Sequence, residues 1–272
     1  MRLCCALVLL GIGGSLPGQV RQQVFEVADA LGALEDKVGA VPGNVQPVDR
    51  LVRLLTNVLK REAKAAGQPN AAQVVVRRPR QQMLLVQGDR ELCDLVQSVL
   101  DEMRREPLPR LHLTCTVLVM PWEIAAAHGL ATNDVQAADM ASMTRLMRDV
   151  VKVKGTLRNL PETIATPLVP FVAEPRVGGE GKPPPPKGAE TVRLRGEAVA
   201  VSSEEALLGV QLVRGNLPED RTQLPKGAVF DRAFRLRVGD GVTITAKNGK
   251  TATVLWLRFT GTSTVAPRRR VV

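Results

Sequence analysis

His112 and His128 are the only imidazoles in this 272-residue chain. Neither has a second ligand at a usable metal spacing. No paired-histidine zinc helix and no Gly-x-Ser-x-Gly nucleophile elbow is present. Gly249-Lys250-Thr251 ends like a phosphate-binding loop, but such a loop needs a leading glycine at position 244, where Ile244 stands. Gly11-Ile12-Gly13 follows an apolar run, as a dinucleotide loop would, yet the third glycine is missing. Asp89, Glu91, Asp94, Asp101 and Glu102 spread along one predicted helix surface, the usual solvated face. The expectation is a protein that is not an enzyme and uses no cofactor or metal. Cys93 and Cys115 match no zinc pattern. One falls on a predicted helix and the other on the strand after it. In an exported protein they can pair as a disulfide; otherwise they are two buried thiols.

The elements that position these groups must be built with few aromatics. Aromatic content is 3%, with no tyrosine, so the core falls to Val, Leu, Ala and Met. The same scarcity argues against a conventional outer-membrane barrel with its aromatic girdles. The net charge of +10 is compatible with nucleic acid, anionic lipid or polyanionic cell-wall partners, or simply with a solvated basic surface. The excess is not gathered in one arm; the dense runs are Arg77-Arg78-Pro79-Arg80 and Arg268-Arg269-Arg270.

Residues 1–18 read as a secretory signal. Arg2 supplies the positive start, 3–12 the apolar run, and Gly13-Gly14-Ser15 the small residues for cleavage. The other reading is a buried N-terminal strand or helix. The run is shorter than the roughly twenty residues that span a bilayer. Cys4 and Cys5 lie too early in it for a lipoprotein cleavage site.

The periodicity then predicts a helical region over 19–70. A first helix covers 24–38. A second starts at Pro47 and carries Val48, Leu51, Leu54, Leu55, Val58 and Leu59 on one face. Next come a strand at 74–76, a turn at 77–80, a strand at 83–86 closing at Gly88, and a helix over 89–106 capped by Asp89. Leu92, Leu95, Val96, Val99, Leu100 and Met103 form that helix's apolar face. Pro107 and Pro109 end it. A strand over 111–120 places Leu111, Leu113, Cys115, Val117 and Val119 on one side, and His112, Thr114, Thr116 and Leu118 on the other. Its apolar side is expected to lie under the preceding helix.

A helix capped by Asn133 or Asp134 is expected to run to about 151. Residues 163–172 are extended or loop, because Pro167 and Pro170 disfavour an inner strand. Residues 178–188, with four consecutive prolines, form a loop or a domain linker. Strands are expected at 192–201, 207–213, 233–238, 242–246 and 252–259. Asn248-Gly249 suits a type I′ hairpin turn between the last two.

The segment VVVRRPRQQMLLVQGDRELCDLVQSVLDEMRREPLPRLHLTCTVLVMP resembles the last ring-building repeat of bacterial secretins, running into the first strand of their core. AFRLRVGDGVTITAKNGKTATVLWLRFTGT is similar to the family's late strands. There a V-x-D-G-x-T turn precedes a final hairpin, and Val238-Gly239-Asp240-Gly241-Val242-Thr243 matches it. The chain has no Val-Pro-rich gate segment, so the resemblance implies a short or degenerate β-domain.

The resemblance implies an α+β protein with N-terminal helices, a βαβ-type ring-building module and a C-terminal antiparallel β-rich secretin-like domain. The boundaries are 19–70 for the helices, 71–109 for the module, 110–262 for the β-domain and 263–272 for a basic tail. It implies export to the periplasm or outer membrane, with copies of itself or other secretion-system proteins as partners. Arg77, Arg78, Arg80, His112, Thr114 and Thr116 are the candidate assembly surface. The alternative is a soluble basic nucleic-acid-binding protein. That alternative lacks a Gly-x-x-Gly phosphate loop and an exposed stacking platform, so nucleic acid is not the expected partner.

Overall fold

The computed structural model describes residues 21–32, 46–65, 67, 75–80, 83–88, 90–105, 107–132, 134–174, 190–216 and 228–264. The leader expected at 1–18, the cap expected at Asp89 and the proline segment 178–188 lie outside these residues.

Two helices follow their predicted apolar faces. In α1 (Pro47–Ala65), Val48, Leu51, Leu54, Leu55, Val58 and Leu59 are all buried. Pro47 suits the first turn because its missing N–H would have no helical partner there. Asp49 in the same turn complements the positive end of the helix. In α2 (Arg90–Arg104), Leu92, Leu95, Val96, Val99, Leu100 and Met103 are buried, and Cys93 widens the stripe.

The helix expected at 24–38 is corrected at its start. Residues Arg21–Glu26 form strand β1, and a helical segment covers 28–32. Val24, Phe25 and Val27 suit either period. What decides is a distant partner: β1 pairs antiparallel with β3 (Met83–Gly88), from Arg21↔Gly88 to Glu26↔Met83. On the other side of β3 lies β2 (Val75–Arg80). The turn expected at 77–80 is strand instead, since β2 runs through a bulge to pair Arg80 with Met83.

Two larger sheets carry the rest. The outer sheet has the order β5-β12-β13-β4-β6, with β7 also paired to β4. Its strands are β4 (Pro109–Pro121), β5 (Val135–Ala137), β6 (Thr156–Asn159), β7 (Thr163–Ala165), β12 (Gly241–Asn248) and β13 (Thr251–Thr264). The middle sheet has the order β11-β10-β9-β8. Its strands are β8 (Phe171–Ala173), β9 (Glu190–Ser202), β10 (Glu205–Asn216) and β11 (Ala228–Arg237). All named pairings are antiparallel, and the class is α+β.

These elements stack in four layers. The first core joins Phe25, the stripes of α1 and α2, and Leu84 and Val86 of β3 to Val199, Leu207 and Ala233 on one face of the middle sheet. The second core fills the gap between the middle and outer sheets, with Leu194, Ala198, Leu208 and Phe234 facing Leu113, Cys115, Leu255 and Phe259. The third lies between the outer sheet and two helices, α3 (Trp122–Ala127) and α4 (Met140–Lys152), around Leu118, Val254, Trp256, Met143 and Leu146.

This order corrects one expectation. The apolar side of β4 is covered by the middle sheet, while α2 lies beyond that sheet in a different core. Alternation along a strand reveals a buried face but not what buries it. The expected βαβ unit is therefore divided, because β2 and β3 share no sheet with β4.

Smaller differences have local causes. The helix expected from Asn133 or Asp134 starts later. Asp139 is its cap, accepting from the Ser142 amide at 2.6 Å, and Val135–Ala137 joins the outer sheet instead. The β12–β13 hairpin pairs Asn248 with Thr251, leaving Gly249-Lys250 as the loop. Gly249 has φ +59° and Lys250 has no positive φ, the signature of a type II′ turn rather than I′. The 238–243 segment forms the corner that carries the chain from β11 in the middle sheet to β12 in the outer one. There Gly239 has φ +87°, and its amide donates to the Phe259 carbonyl at 2.8 Å.

Ion pairs fasten the first layer. Arg104 at the end of α2 makes a bidentate contact with Asp29, at 2.7 and 3.0 Å, and donates to the Glu26 carbonyl at 3.0 Å. The Arg104 hydrogen bond holds the Asp29 carboxyl below the usual range. On the middle sheet, burial alone would raise the Glu205 carboxyl, but Arg235 and Arg237 turn the net shift downward.

Candidate functional site

The N-terminal half of α1 and the middle sheet leave a cleft of about 300 Å³ between them. It forms because the sheet face changes character along β9. The row Val199–Leu207 is apolar and meets the helices. One step along, Glu197, Gly209 and Ala233 stand side by side on β9, β10 and β11. One step further, Arg195, Gln211 and Asp231 make a wholly polar row. A Cβ on Gly209 would come within 3.2 Å of Leu54 Cδ1, so the bare glycine lets the helix close to this height.

The helix side supplies Arg50, Arg53, Leu54 and Asn57. Residues three and four apart share a helix face, so these positions form one strip. Arg53 donates to Glu197 Oε1 at 2.9 and 3.3 Å. Arg50 is 4% exposed and donates to the Leu168 carbonyl at 3.4 Å. Leu168 sits at φ +57°, a costly conformation for a branched side chain, held by the hydrogen bond its amide donates to the Ala198 carbonyl and by its own burial. The Arg195 Nε is buried and meets no acceptor among the described residues. Neighbouring Arg193 is paired with Glu174.

The expected assembly residues fall on two different sheets. Arg77, Arg78 and Arg80 are positions of β2, an edge strand of the small sheet. His112, Thr114 and Thr116 share the far face of β4, away from the middle sheet. His112 Nδ1 lies 3.1 Å from Glu162 and Nε2 lies 2.7 Å from Ser263, while Thr116 donates to Asn159 at 2.9 Å. His128 lies 3.1 Å from Asp149 on α4. Lys152 and His128 together hold that carboxyl below its ordinary range. Among the described residues no three His, Cys, Asp or Glu side chains converge as a metal site. No described helix is long and apolar enough to cross a membrane.

Cys93 and Cys115 are not joined. Both are buried, Cys93 in the first core and Cys115 in the second, on opposite sides of the middle sheet. Of the two readings open for them, they are two buried thiols. Burial pushes the Cys115 thiol up to about 12, so little reactive thiolate exists at neutral pH. Iodoacetamide at pH 8 is expected to leave both residues unmodified in native protein and to label both in denaturant, as read by intact mass. Rapid native labelling of Cys115 would contradict the sandwich.

Sequence reasoning missed the cleft, although one signal was present. Arg193, Arg195 and Glu197 are polar at every second position of a strand whose other face carries Leu194 and Ala198. That pattern marks a face requiring polar partners.

No family model matches this sequence, and no curated protein matches it. Among solved structures it is similar to the Salmonella SPI-1 type III secretion injectisome secretin InvG. Identity is 10%, over 94% of this chain and 91% of that one, with a TM-score of 0.24. It is similar to the type II secretin XcpQ from Pseudomonas aeruginosa, at 11% identity over 90% and 92% of the two chains and a TM-score of 0.27. A third is the ETEC pilotin–secretin AspS–GspD complex, at 9% identity over 91% and 76%, with a TM-score of 0.22. These neighbours are secretins, but scores of this size do not establish a common fold.

Proposed function

We propose that this chain is a non-catalytic, secretin-type structural component of an envelope secretion or pilus-like assembly. The observation that carries the reading is the pairing of β4 with β13. The two sequence segments that resemble secretins are far apart in the chain, yet they lie side by side from Pro109↔Thr264 to Pro121↔Thr251. Segment 71–109 acts as the ring-building module and 110–262 as the β-domain. The protein is exported through its leader to the periplasm or outer membrane and packs against copies of itself or other secretion proteins.

Arg77, Arg78 and Arg80 on an edge strand, and His112 and Thr114 on the far face of β4, are its assembly surfaces; Thr116 on the same face is buried and backs them. An edge strand offers unpaired backbone groups to a neighbour, and basic side chains restrict which neighbour fits. Cell fractionation with negative-stain microscopy tests this. Envelope recovery and ring particles are expected. The double variant Arg77→Glu/Arg80→Glu should lose the rings while its melting temperature stays within a few degrees. A cytoplasmic monomer, or rings indifferent to that charge reversal, would overturn the reading.

A further inference from the structure

The cleft between α1 and the middle sheet is not needed for the assembly role, and its lining is unusual for a purely structural seam. We propose that it binds a carboxylate, gripped by Arg195 from the floor and by Arg50 and Arg53 from the helix wall. Three guanidinium groups and two carboxylates, Glu197 and Asp231, line it. Arg53 already engages Glu197. Among the described lining residues the formal balance is one positive charge.

A single carboxylate neutralises that excess. A doubly charged phosphate ester would face repulsion from Glu197 and Asp231. The guanidinium fork also matches the two oxygens of a carboxylate. Arg195 is the lining cation that no described side chain or carbonyl is seen to engage. The Arg195 Nε is buried without a partner among the described residues, and a buried donor ordinarily has one. The geometry is built rather than accidental. Arg195, Gln211 and Asp231 are in register across three strands, Gly209 lets Leu54 of the helix settle beside that row, and Arg50 is held by the Leu168 carbonyl.

The carboxylate can belong to a small dicarboxylic acid or to a glutamate or aspartate side chain of a protein segment. Calorimetric titration of the full chain at low salt with succinate, with a hexaglutamate peptide and with inorganic phosphate separates these sources. Heat from succinate identifies a small-molecule source, and heat from the peptide alone a side-chain source. In either case Arg195→Gln should weaken binding at least about tenfold, the size expected for one charge-assisted contact. Gln211→Glu places a negative charge in the same row and should weaken it similarly, so the test survives if one variant fails to fold. No binding of either carboxylate at about 10 mM, tighter binding of phosphate, or indifference to both substitutions would overturn the assignment.

Discussion

Replacing Phe259 with alanine is expected to lower the unfolding free energy by about 3–5 kcal/mol. Phe259 has no exposed surface and lies in the core between the outer and middle sheets. It stands opposite Leu113 on β4, immediately before the register shift between Phe259 and Gly261. Its carbonyl receives the Gly239 amide of the inter-sheet corner, and its own amide donates to the Asp240 carbonyl at 3.4 Å. The backbone at this point is therefore held on both sides, so the sheets are poorly placed to collapse into the vacated volume. Cavities that cannot relax are the costly ones. Urea unfolding should show a lower midpoint with an unchanged slope, because the exposed area changes little. A loss below about 1 kcal/mol would mean that the two sheets do not close over this ring.

Leu55→Ala is expected to cost about 2–5 kcal/mol and to shift the same transition. Leu55 is fully buried in the middle of α1, where it shares a core with α2, β3 and the far face of the middle sheet. The middle sheet is the wall common to the first and second cores, since Val199 and Leu207 face one while Ala198 and Leu208 face the other. Damage to either core should therefore unfold both. Tryptophan fluorescence reports from the outer sheet through Trp256, and far-ultraviolet dichroism reports from the helices. Coincident curves from the two probes are the expected result. If the helix signal melted before the fluorescence changed, α1 would be an appended element instead of a structural layer.

The two helices and the C-terminal strands were legible because their signals are local. Six apolar residues at helical spacing in α1, and six in α2, define a buried face without reference to anything else. The β12–β13 hairpin announces itself through Asn248-Gly249, although the loop falls one residue later than the Asn-Gly pattern suggests. Other features depend on partners distant in sequence. Arg21–Glu26 is strand only because β3 is available to it. For the helix after Ala137 the sequence suggests a start at Asn133 or Asp134, whereas Asp139 caps it. The short pairing of Val135–Ala137 with β12 excludes the two earlier starts. The cleft draws on α1, β9, β10 and β11, so no single spacing contains it. The candidate assembly residues were legible as two local groups, but their separation onto different sheets was not.

The β4–β13 pairing also has a mechanical meaning. Its thirteen paired positions join strands running in opposite directions, with the end of α2 entering at Pro109 and the tight Gly249-Lys250 loop at the other extremity. Tension applied between those extremities runs along the strands, so it loads the cross-strand hydrogen bonds together in shear rather than peeling them one by one. A chain pulled in that direction would resist stretching far better than one pulled apart at the Pro109 and Thr264 ends, where the ladder unzips.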